Sequence, residues 1–482
     1  ADMKRYLKIL PFFDPFIVGL IGFLFAGEEV LNAAFNSFLL YFLGYADPAV
    51  NPAIEVARWI APIATAGGAI TVAVQFATSW KNAVRNGRRD SLAVYGDGPD
   101  AEFVKAQVGA RLITPLGNGF VRARRYVLMM DEQENLEFYA ANRERLKDCP
   151  VCLRCTSIAS HELAGDRLKV CNLEEMAARI FWKQSDVYET ARACGCRMKI
   201  VIIGFGKLGQ ELLLKGLQHN IFSADQRIEY HVFGDSGDFR KLYHCLDRVG
   251  DPVVFHDDWK DDMDLIRGAD MTILANLNDE LSLARDLLFA VNEKKLYVLT
   301  DMADVIGLLD GRGRLEIFDW KKEVLSEECL FEDKLLESAK RINLRYAHLY
   351  SGTAETPENA DAEWRKLDSF TKCSNISSAD YHEVREKMLA EWGLPSDGTG
   401  ISAEQMETLS ELEHIRWSRY HYLSNWTYGV PEGGRAKDAE KRIHADLKPY
   451  AELTEGEKQK DRDTIGIMLK LNSVSFGPQT LL

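Results

Sequence analysis

The sequence predicts a helical membrane domain, two tandem α/β units and a mainly α-helical C-terminal domain. Three observations predict this order: nearly uncharged segments early in the chain, two strand–glycine loop–helix patterns after them, and an aromatic-rich segment near the end. The 482 residues are enough for about three domains. The net charge of −14 argues against nucleic-acid binding, because phosphate neutralisation needs a basic surface.

Residues 1–90 are predicted to form the membrane domain. Ile9–Gly27 contains only Asp14 as a charged residue, and Val30–Ala46 and Trp59–Trp80 contain none. The third segment is long enough to cross a hydrocarbon core of about 30 Å. Basic residues flank the block on both outer sides, so the positive-inside rule places both termini in the cytoplasm. Two helices then cross the membrane, and the middle segment is re-entrant.

A re-entrant segment must be buried in protein or line a water-filled path, because lipid cannot pair its backbone groups. The residues after the predicted pore helix Asn32–Leu43 resemble a degenerate potassium-channel filter motif, T-V-G-Y-G-D. The predicted filter residues are Gly44, Tyr45, Ala46 and Asp47. Ala46 replaces the second glycine of the motif, so potassium selectivity is not implied. The alternative is a two-helix anchor with a surface hairpin.

The first α/β unit is predicted over residues 91–190. A strand at Ser91–Tyr95 is followed by the G-x-G-x-x-A pattern of Gly96–Ala101 and by a helix. Alternating strands and helices predict a parallel sheet that is covered on both faces. No acidic residue closes the second strand, so the usual ribose contact is missing. This unit is either structural or binds something other than a dinucleotide.

The second α/β unit is predicted over residues 198–312. The strand Lys199–Ile203 leads into Gly204-Phe205-Gly206-Lys207-Leu208-Gly209, which opens a helix to about His219. Glycines at this spacing permit a tight turn, close approach to phosphate and helix-on-strand packing. The next strand, Arg227–Phe233, ends at Asp235, where a ribose-binding acid is expected. The pattern predicts a bound NAD or adenine nucleotide; alternatively, the glycines serve only close packing.

Rossmann-type units behind a two-helix pore resemble the potassium-conductance-regulating domains (RCK, or TrkA-N) of prokaryotic channels and transporters. The resemblance covers about residues 91–312 and implies that a nucleotide or an ion gates the attached pore. Asn276 follows the fourth strand of the second unit, near the nucleotide cleft of such folds. The predicted nucleotide-binding residues are Gly204, Gly206, Gly209, Asp235 and Asn276.

The C-terminal third is predicted as a helical connector over 313–398 and a separate domain over 399–475. Three segments carry its pattern: Glu413–Trp417, Asn425–Gly429 and His444–Tyr450. Their order and spacing are similar to the RyR repeat, first named in ryanodine receptors and also found in bacterial proteins. The resemblance implies sensing of a small, nucleotide-derived ligand, and some of those bacterial proteins are linked to antiviral conflict systems.

Aromatic rings offer flat faces to a base, and basic side chains complement phosphate. The predicted ligand-binding residues of this domain are Glu413, His414, Arg416, Trp417, Trp426, Tyr428, His444 and Tyr450. Trp417 and Trp426 are expected to lie largely in the core, because a domain of this size has little else to bury. Arg416, His414 and Tyr428 are therefore the better candidates for ligand contact.

Two further signals are weaker. Cys149, Cys152 and Cys155 have metal-ligand spacing, but they fall on a predicted strand whose successive side chains face opposite sides. Reduced, buried cysteines and no metal site are therefore predicted. The sequence contains no recognisable nucleophile elbow, phosphate-binding lysine loop or zinc-protease motif. No catalytic residue and no enzyme are predicted.

Together these features predict a nucleotide-gated ion channel of the prokaryotic inner membrane, with four subunits around one pore. Its expected partners are the lipid bilayer, a small nucleotide-derived ligand and further copies of the chain. One alternative is a membrane-anchored nucleotide sensor that does not conduct selectively. Another is an NAD-dependent oxidoreductase, although no substrate domain with a proton donor is evident.

Overall fold

The computed structural model describes residues 10–45, 47–86, 90–156, 167–275, 280–309, 313–331 and 334–471. The chain divides into two compact units, residues 1–95 with 108–127 and residues 96–107 with 128–482. The first unit begins with helices. The second contains a six-stranded sheet, followed by helices and a small three-stranded sheet.

The described part of the first unit begins with the helices α1 (Leu10–Phe25), α2 (Val30–Leu39) and α3 (Pro52–Asn86). A 3-10 turn at Leu40–Phe42 follows α2. The helices enclose a small core of Phe23, Ala33, Leu40, Tyr41, Ile54, Ala57 and Ala61. Three strands come next in the chain: β1 (Leu92–Tyr95), β2 (Leu112–Ile113) and β3 (Arg125–Leu128). β1 pairs with β2 in parallel.

The predicted membrane domain is wrong. Over the ranges that the structure describes, no helix is both long enough and apolar enough to cross a membrane. α1 has 16 residues and α2 has 10, so both fall short of a hydrocarbon core of about 30 Å at about 1.5 Å per residue. α3 has 35 residues, but it too does not meet the length and hydropathy requirements over its described residues. The pore-like fold class, the two-pass inner-membrane placement and the bilayer partner are corrected accordingly.

The predicted filter is a turn packed against its own helices. The members of this segment that the structure describes are Gly44, Tyr45 and Asp47, and Ala46 lies outside the described residues. The Gly44 N–H donates to the Leu39 carbonyl at 3.0 Å. The Tyr45 ring meets the Phe23 ring edge-on at 4.9 Å, and the Arg58 guanidinium lies 5.4 Å from the Tyr45 ring centroid. The prediction of a ligand-gated ion channel is corrected on the same finding, that no described helix is long and apolar enough to cross a membrane.

The second unit begins with alternating helices and strands. They are α4 (Pro99–Val108), α5 (Glu132–Leu146), β4 (Val151–Arg154), β5 (Leu168–Cys171), α6 (Leu173–Gln184) and α7 (Val187–Ala193). β4 and β5 pair in parallel, with Val151 opposite Leu168. Asp131 and Asn172 cap α5 and α6, each accepting a first-turn N–H at 3.0 Å.

A six-stranded parallel sheet follows. Its elements in chain order are β6 (Arg197–Ile203), α8 (Lys207–His219), β7 (Arg227–Phe233), α9 (Gly237–Leu242), β8 (Val253–His256), α10 (Met263–Gly268), β9 (Met271–Leu274), α11 (Glu280–Ala290), β10 (Leu296–Thr300), α12 (Ala303–Ile306) and β11 (Leu315–Asp319). The strand order is β11-β10-β9-β6-β7-β8. Every neighbouring pair is parallel.

This order is that of a dinucleotide-binding α/β fold, in which the first and fourth strands of the sheet are neighbours and the strand order reverses between them. The continuous apolar run Ile200–Ile203 is buried, as expected for a strand with helices on both faces. The predicted α/β architecture with a parallel sheet is therefore confirmed. β11 lies beyond residue 312, where the sequence predicts helix, so that part of the prediction is wrong.

The rest of the second unit is mainly helical. Its elements are α13 (Trp320–Val324), α14 (Glu327–Phe331), α15 (Lys334–Ser351), α16 (Pro357–Lys366), α17 (Ser369–Asp380), α18 (His382–Glu391), α19 (Ala403–Leu423), β12 (Thr427–Tyr428), β13 (Lys437–Asp438), β14 (Ile443–His444) and α20 (Glu455–Leu471). Ser402 and Gln405 form a capping box that starts α19. β14 pairs with β12 and β13.

Candidate functional site

The glycine-rich loop Gly204–Gly209 joins β6 to α8. Gly204 has a φ of 97°, which side-chain-bearing residues rarely adopt. A Cβ on Gly209 would lie 2.0 Å from the Gly204 carbonyl oxygen, so only glycine lets α8 start this close to β6. In contrast, a Cβ on Gly206 would meet no atom of the described chain within 4 Å. The loop is therefore tightly packed where Gly209 meets Gly204, and it has open space next to Gly206, which is called its open front below.

The open side of the loop suits an anion. Gly206 precedes α8, and in the described chain no side chain caps the first turn of this helix. The first N–H groups of a helix have no intrahelical acceptor and carry partial positive charge. Lys207 is exposed, and its Nζ donates to Thr156 Oγ1 at 3.1 Å. Free N–H groups and one ammonium therefore gather at the start of α8.

The end of β7 lies beside this loop, because Phe233 is the register partner of Ile203. Gly234 has a φ of 136°, and a Cβ on it would lie 3.0 Å from Phe205. Asp235 follows and is exposed; its carboxylate accepts the Gly237 N–H at 3.0 Å. The structure therefore brings the predicted acid next to the predicted glycines.

Asn276, the remaining predicted nucleotide-binding residue, lies outside the described residues. The next described residue, Glu280, begins α11 and is buried. Its carboxylate accepts the hydroxyl of Thr300, the last residue of β10. Burial raises the pKa of Glu280. This pair is not predictable from the sequence, because a single acid at a helix start is typical of a solvated cap.

The first glycine-rich loop differs from the second, because its charges are already paired. Lys105 Nζ donates to the Gly96 carbonyl at 2.6 Å. Asp100 is buried, with its carboxylate 2.5 Å from Arg154 Nη1 and 3.3 Å from Lys321 Nζ. These contacts occupy the Lys105 ammonium and the Asp100 carboxylate within the chain. The expectation that this unit is structural or binds something other than a dinucleotide stays a prediction.

A second candidate site is a cavity of about 460 Å³ in the C-terminal part of the chain. α15, α17, α19 and α20 supply most of its wall, so it lies between the predicted connector and the predicted C-terminal domain. The predicted ligand-binding residues that line it are Glu413, His414, Arg416, Trp417 and His444.

The other three predicted ligand-binding residues do not line this cavity. Trp426 is buried, and its ring stacks on Phe370 with 5.1 Å between the centroids. Tyr428 is half exposed on β12. Tyr450 is buried, and its hydroxyl donates to Glu407 Oε1 at 3.0 Å. Of the eight predicted ligand-binding residues, five therefore line the cavity and three lie outside it.

A buried ionic triad forms one side of the cavity. Glu413 accepts Arg416 Nη2 at 2.7 Å and Arg416 Nε at 2.9 Å, and it also accepts Arg385 Nη2. The three side chains are exposed by only 1–3%. Burial by itself would raise the pKa of Glu413, but the two guanidinium groups hold it below its usual value.

Two histidines of the cavity have opposite electrostatic environments. His414 Nδ1 lies 3.3 Å from Asp461 Oδ2, and Nε2 lies 2.9 Å from the Lys448 carbonyl oxygen. Burial disfavours the imidazolium, yet the Asp461 carboxylate raises the pKa of His414. Burial lowers the pKa of His444 to about 4, and His444 Nδ1 accepts the Asp446 N–H at 3.1 Å. His444 is therefore neutral at pH 7.

The side of the cavity that the connector helices form is not among the sequence predictions. The residues missed there include Asn343, Tyr346, Ser374, Asn375 and Ser378. One sequence signal could have indicated it: the polar Asn343 stands next to the buried Ile342 in the apolar stripe of α15. Such a residue on a core-facing position needs a partner, which points to a polar site.

Cysteine chemistry also departs from expectation. A disulfide joins Cys152 on β4 to Cys171 on β5, so the predicted reduced state is wrong for this pair. Cys155 Sγ donates to Glu132 Oε1 at 3.2 Å. Among the described side chains, no group of three or more His, Cys, Asp or Glu residues is placed to hold a metal ion.

Comparison with known proteins identifies one domain. The family model described as the RyR domain matches residues 401–474, so the C-terminal part of the chain is an RyR domain. That match does not extend to the channel-like or RCK-like regions. No curated protein matches the chain.

Two solved structures match the chain over 64% of its length, each with 13% identity and a TM-score of 0.22. Each is a structure of D-isomer specific 2-hydroxyacid dehydrogenase from Xanthobacter autotrophicus Py2. The second structure is of the complex with NADPH and MES. The chain covers 98% and 96% of their lengths. Both matched structures are enzymes, so the comparison does not bear out the expectation of a non-enzyme. At this TM-score, neither match assigns a reaction to the chain.

Proposed function

We propose that the six-stranded α/β region of this chain binds a dinucleotide. The observation that carries the proposal is the Gly204–Gly209 loop, with its open front and uncapped helix start, between β6 and α8. The strand order adds support, because ligands of such sheets bind at the carboxyl edge where the order reverses. The arrangement fits a diphosphate on the loop and a ribose beside it.

Each residue has a defined part in holding the dinucleotide. Gly206 leaves room for a phosphate group, and the first N–H groups of α8 donate to it. Lys207 supplies an ammonium charge next to the same position. Asp235 accepts hydrogen bonds from ribose hydroxyls, which favours NAD over NADP because a carboxylate repels a 2′-phosphate. A bound nicotinamide supplies hydride transfer.

The test is isothermal titration of the full chain with NAD⁺, comparing the parent protein with Gly206→Asp. The new carboxylate occupies the open space in front of the loop and repels phosphate, so the affinity should fall at least tenfold. Gly98→Asp is the matched control, since a Cβ on Gly98 also meets no described atom within 4 Å. Absence of NAD⁺ binding, or equal weakening in both variants, would contradict the proposal.

A second candidate function is an oxidoreductase that uses this dinucleotide. The observation in its favour is the buried Glu280–Thr300 pair, where β10 ends and α11 begins. A carboxyl whose pKa is raised by burial is suited to hold and return a proton. Incubation with NAD⁺ and a panel of small hydroxy acids tests it. Turnover that falls in Glu280→Gln while NAD⁺ affinity is kept supports this function; no turnover with any member opposes it.

A further inference from the structure

Two histidines face each other at one edge of the six-stranded sheet. His231 lies on β7, and His256 is the last residue of β8, the outermost strand of the sheet on that side. His231 Nδ1 is 3.0 Å from His256 Nε2. The ring centroids are 5.3 Å apart, so the two nitrogens lie between the rings. The His256 carbonyl also accepts the Gly234 N–H at 3.2 Å, which places the pair near the carboxyl ends of β7 and β8.

A carboxylate lies behind each histidine ring. His256 Nδ1 is 2.9 Å from Asp262 Oδ2. His231 Nε2 is 3.6 Å from Glu229 Oε2, and Arg227 Nε donates to the other oxygen of Glu229 at 2.7 Å. A carboxylate that accepts the outer N–H of an imidazole fixes its tautomer and orientation, which is the usual support of a metal-binding histidine. Both rings therefore have such an acceptor next to the nitrogen that faces away from the pair.

The two rings together have one N–H too few for their three contacts. A neutral imidazole carries a single N–H, so the pair has two. If His256 donates to Asp262 and His231 donates to His256, then Nε2 of His231 is left without a donor role; this residue is only 9% exposed, and in the described chain its Nε2 makes no hydrogen bond. If His231 instead directs its N–H at Glu229, two lone pairs face each other at 3.0 Å. A cation between the rings removes this conflict.

The chemistry and spacing of the two nitrogens suit a transition-metal ion. Imidazole nitrogen binds Zn²⁺, Cu²⁺ and Ni²⁺ well, whereas Mg²⁺ and Ca²⁺ prefer oxygen ligands. Zn–N bonds of about 2.0–2.1 Å at a tetrahedral angle separate two ligand nitrogens by about 3.3–3.4 Å. The observed 3.0 Å is slightly shorter, so a small rotation of the two side chains admits the ion. Each ring then keeps its N–H for its own carboxylate.

We propose that His231 Nδ1 and His256 Nε2 together bind one divalent transition-metal ion such as Zn²⁺, with Glu229 and Asp262 accepting the outer N–H groups. Water molecules complete the coordination, since the described side chains include no group of three or more His, Cys, Asp or Glu residues that could hold a metal. The bound ion cross-links the outermost strand β8 to β7. The site is separate from the Gly204–Gly209 loop and does not depend on dinucleotide binding there.

The experiment is titration of the full chain with Co²⁺, a spectroscopic substitute for Zn²⁺, without any nucleotide present. His231→Gln and His256→Gln should each weaken Co²⁺ binding at least tenfold. His244→Gln is the matched control, because this histidine is exposed, and it should leave the affinity unchanged. No Co²⁺ binding at millimolar concentration, or equal affinity in the parent and both test variants, overturns the proposal. A sulfur-to-cobalt charge-transfer band also overturns it, because that band shows cysteine ligands.

A second pair of variants keeps both histidines and decides the matter if a histidine variant does not fold by circular dichroism. Asp262→Asn removes the charge behind His256 and should weaken Co²⁺ binding at least tenfold, because such supporting carboxylates contribute about 10–100-fold to metal affinity. Asp264→Asn, at an exposed position on α10, is its control and should leave the affinity unchanged. Equal weakening in these two variants would assign the ion to the surface acids and overturn the proposal.

Discussion

Arg419 of α19 forms a buried ion pair with Asp251, which lies just before β8. Arg419 Nη2 is 2.7 Å from Asp251 Oδ2. Arg419 Nη1 also donates to the carbonyl of Leu217, near the end of α8, at 3.0 Å. Asp251 in turn accepts the Ile228 N–H at 2.9 Å. The RyR domain is therefore anchored to the helix that begins at the glycine loop.

Breaking this pair should cost much of the stability of the second unit. Removing one member of a buried pair leaves an uncompensated charge, which costs about 3–5 kcal/mol. We expect that loss for Arg419→Met and for Asp251→Asn in denaturant unfolding. Arg267→Met, which breaks an exposed pair with Asp264, should cost about 1 kcal/mol or less. In a double-mutant cycle, simple additivity of the Arg419 and Asp251 changes would show that the two groups do not interact.

Gly209→Ala should disturb both stability and dinucleotide binding. The added methyl would meet the Gly204 carbonyl oxygen at 2.0 Å, so the loop or α8 must shift. Overpacking of this kind costs about 1–3 kcal/mol, and NAD⁺ affinity should fall at least tenfold. Gly206→Ala is the comparison and should cost about 1 kcal/mol or less, as at other helix N-caps. Equal losses of unfolding free energy in the two variants would argue against the close contact at Gly209.

Asp235 should set the preference between the two nicotinamide dinucleotides. Its carboxylate can accept ribose hydroxyls but repels a 2′-phosphate, so NAD⁺ should bind at least tenfold more tightly than NADP⁺. Asp235→Asn removes the negative charge and should narrow that ratio, mainly by improving NADP⁺ binding. Competition titrations measure both affinities. Tighter binding of NADP⁺ than of NAD⁺ by the parent chain would show that the ribose does not lie next to Asp235.

His219, at the end of α8, should make the fold sensitive to acid. Burial lowers its pKa to about 4, whereas an unfolded histidine has a pKa of about 6.5. Between these values the unfolded chain binds a proton that the folded chain does not, so stability falls as pH falls from about 6.5 to about 4. His219→Gln should flatten this part of the profile of unfolding free energy against pH. His348→Gln, at an exposed position, is the control for the substitution itself.

Local signals made the second α/β region predictable. An apolar run followed by closely spaced glycines predicts a strand, a turn and a helix, and β6, the loop and α8 match that order. The acid at Asp235 was also placed correctly beside the loop, because parallel neighbours bring their carboxyl ends together. β11 was missed, since a short strand of mixed polarity after Gly313 has no clear periodicity.

Features that depend on tertiary context were not predictable. The uncharged segments near the start are helical, but large side chains such as Phe25, Leu31 and Trp59 remain 84%, 83% and 68% exposed on helices that do not meet the requirements for spanning. Composition alone does not distinguish a membrane-spanning helix from an apolar helix that does not span, when the ends of the helix are predicted wrongly. The cavity was half predicted, because Arg416 and Trp417 lie in a recognisable motif while Asn343 and Tyr346 come from a distant helix.

The central claim is that a dinucleotide sits on the Gly204–Gly209 loop. Hydrogen–deuterium exchange of the full chain with and without NAD⁺ tests it most directly. The account predicts slower exchange at the amides of residues 204–210 and 235–237, and no such change in Gly206→Asp. Binding of NAD⁺ with protection confined to other segments, or protection that persists in Gly206→Asp, would contradict it.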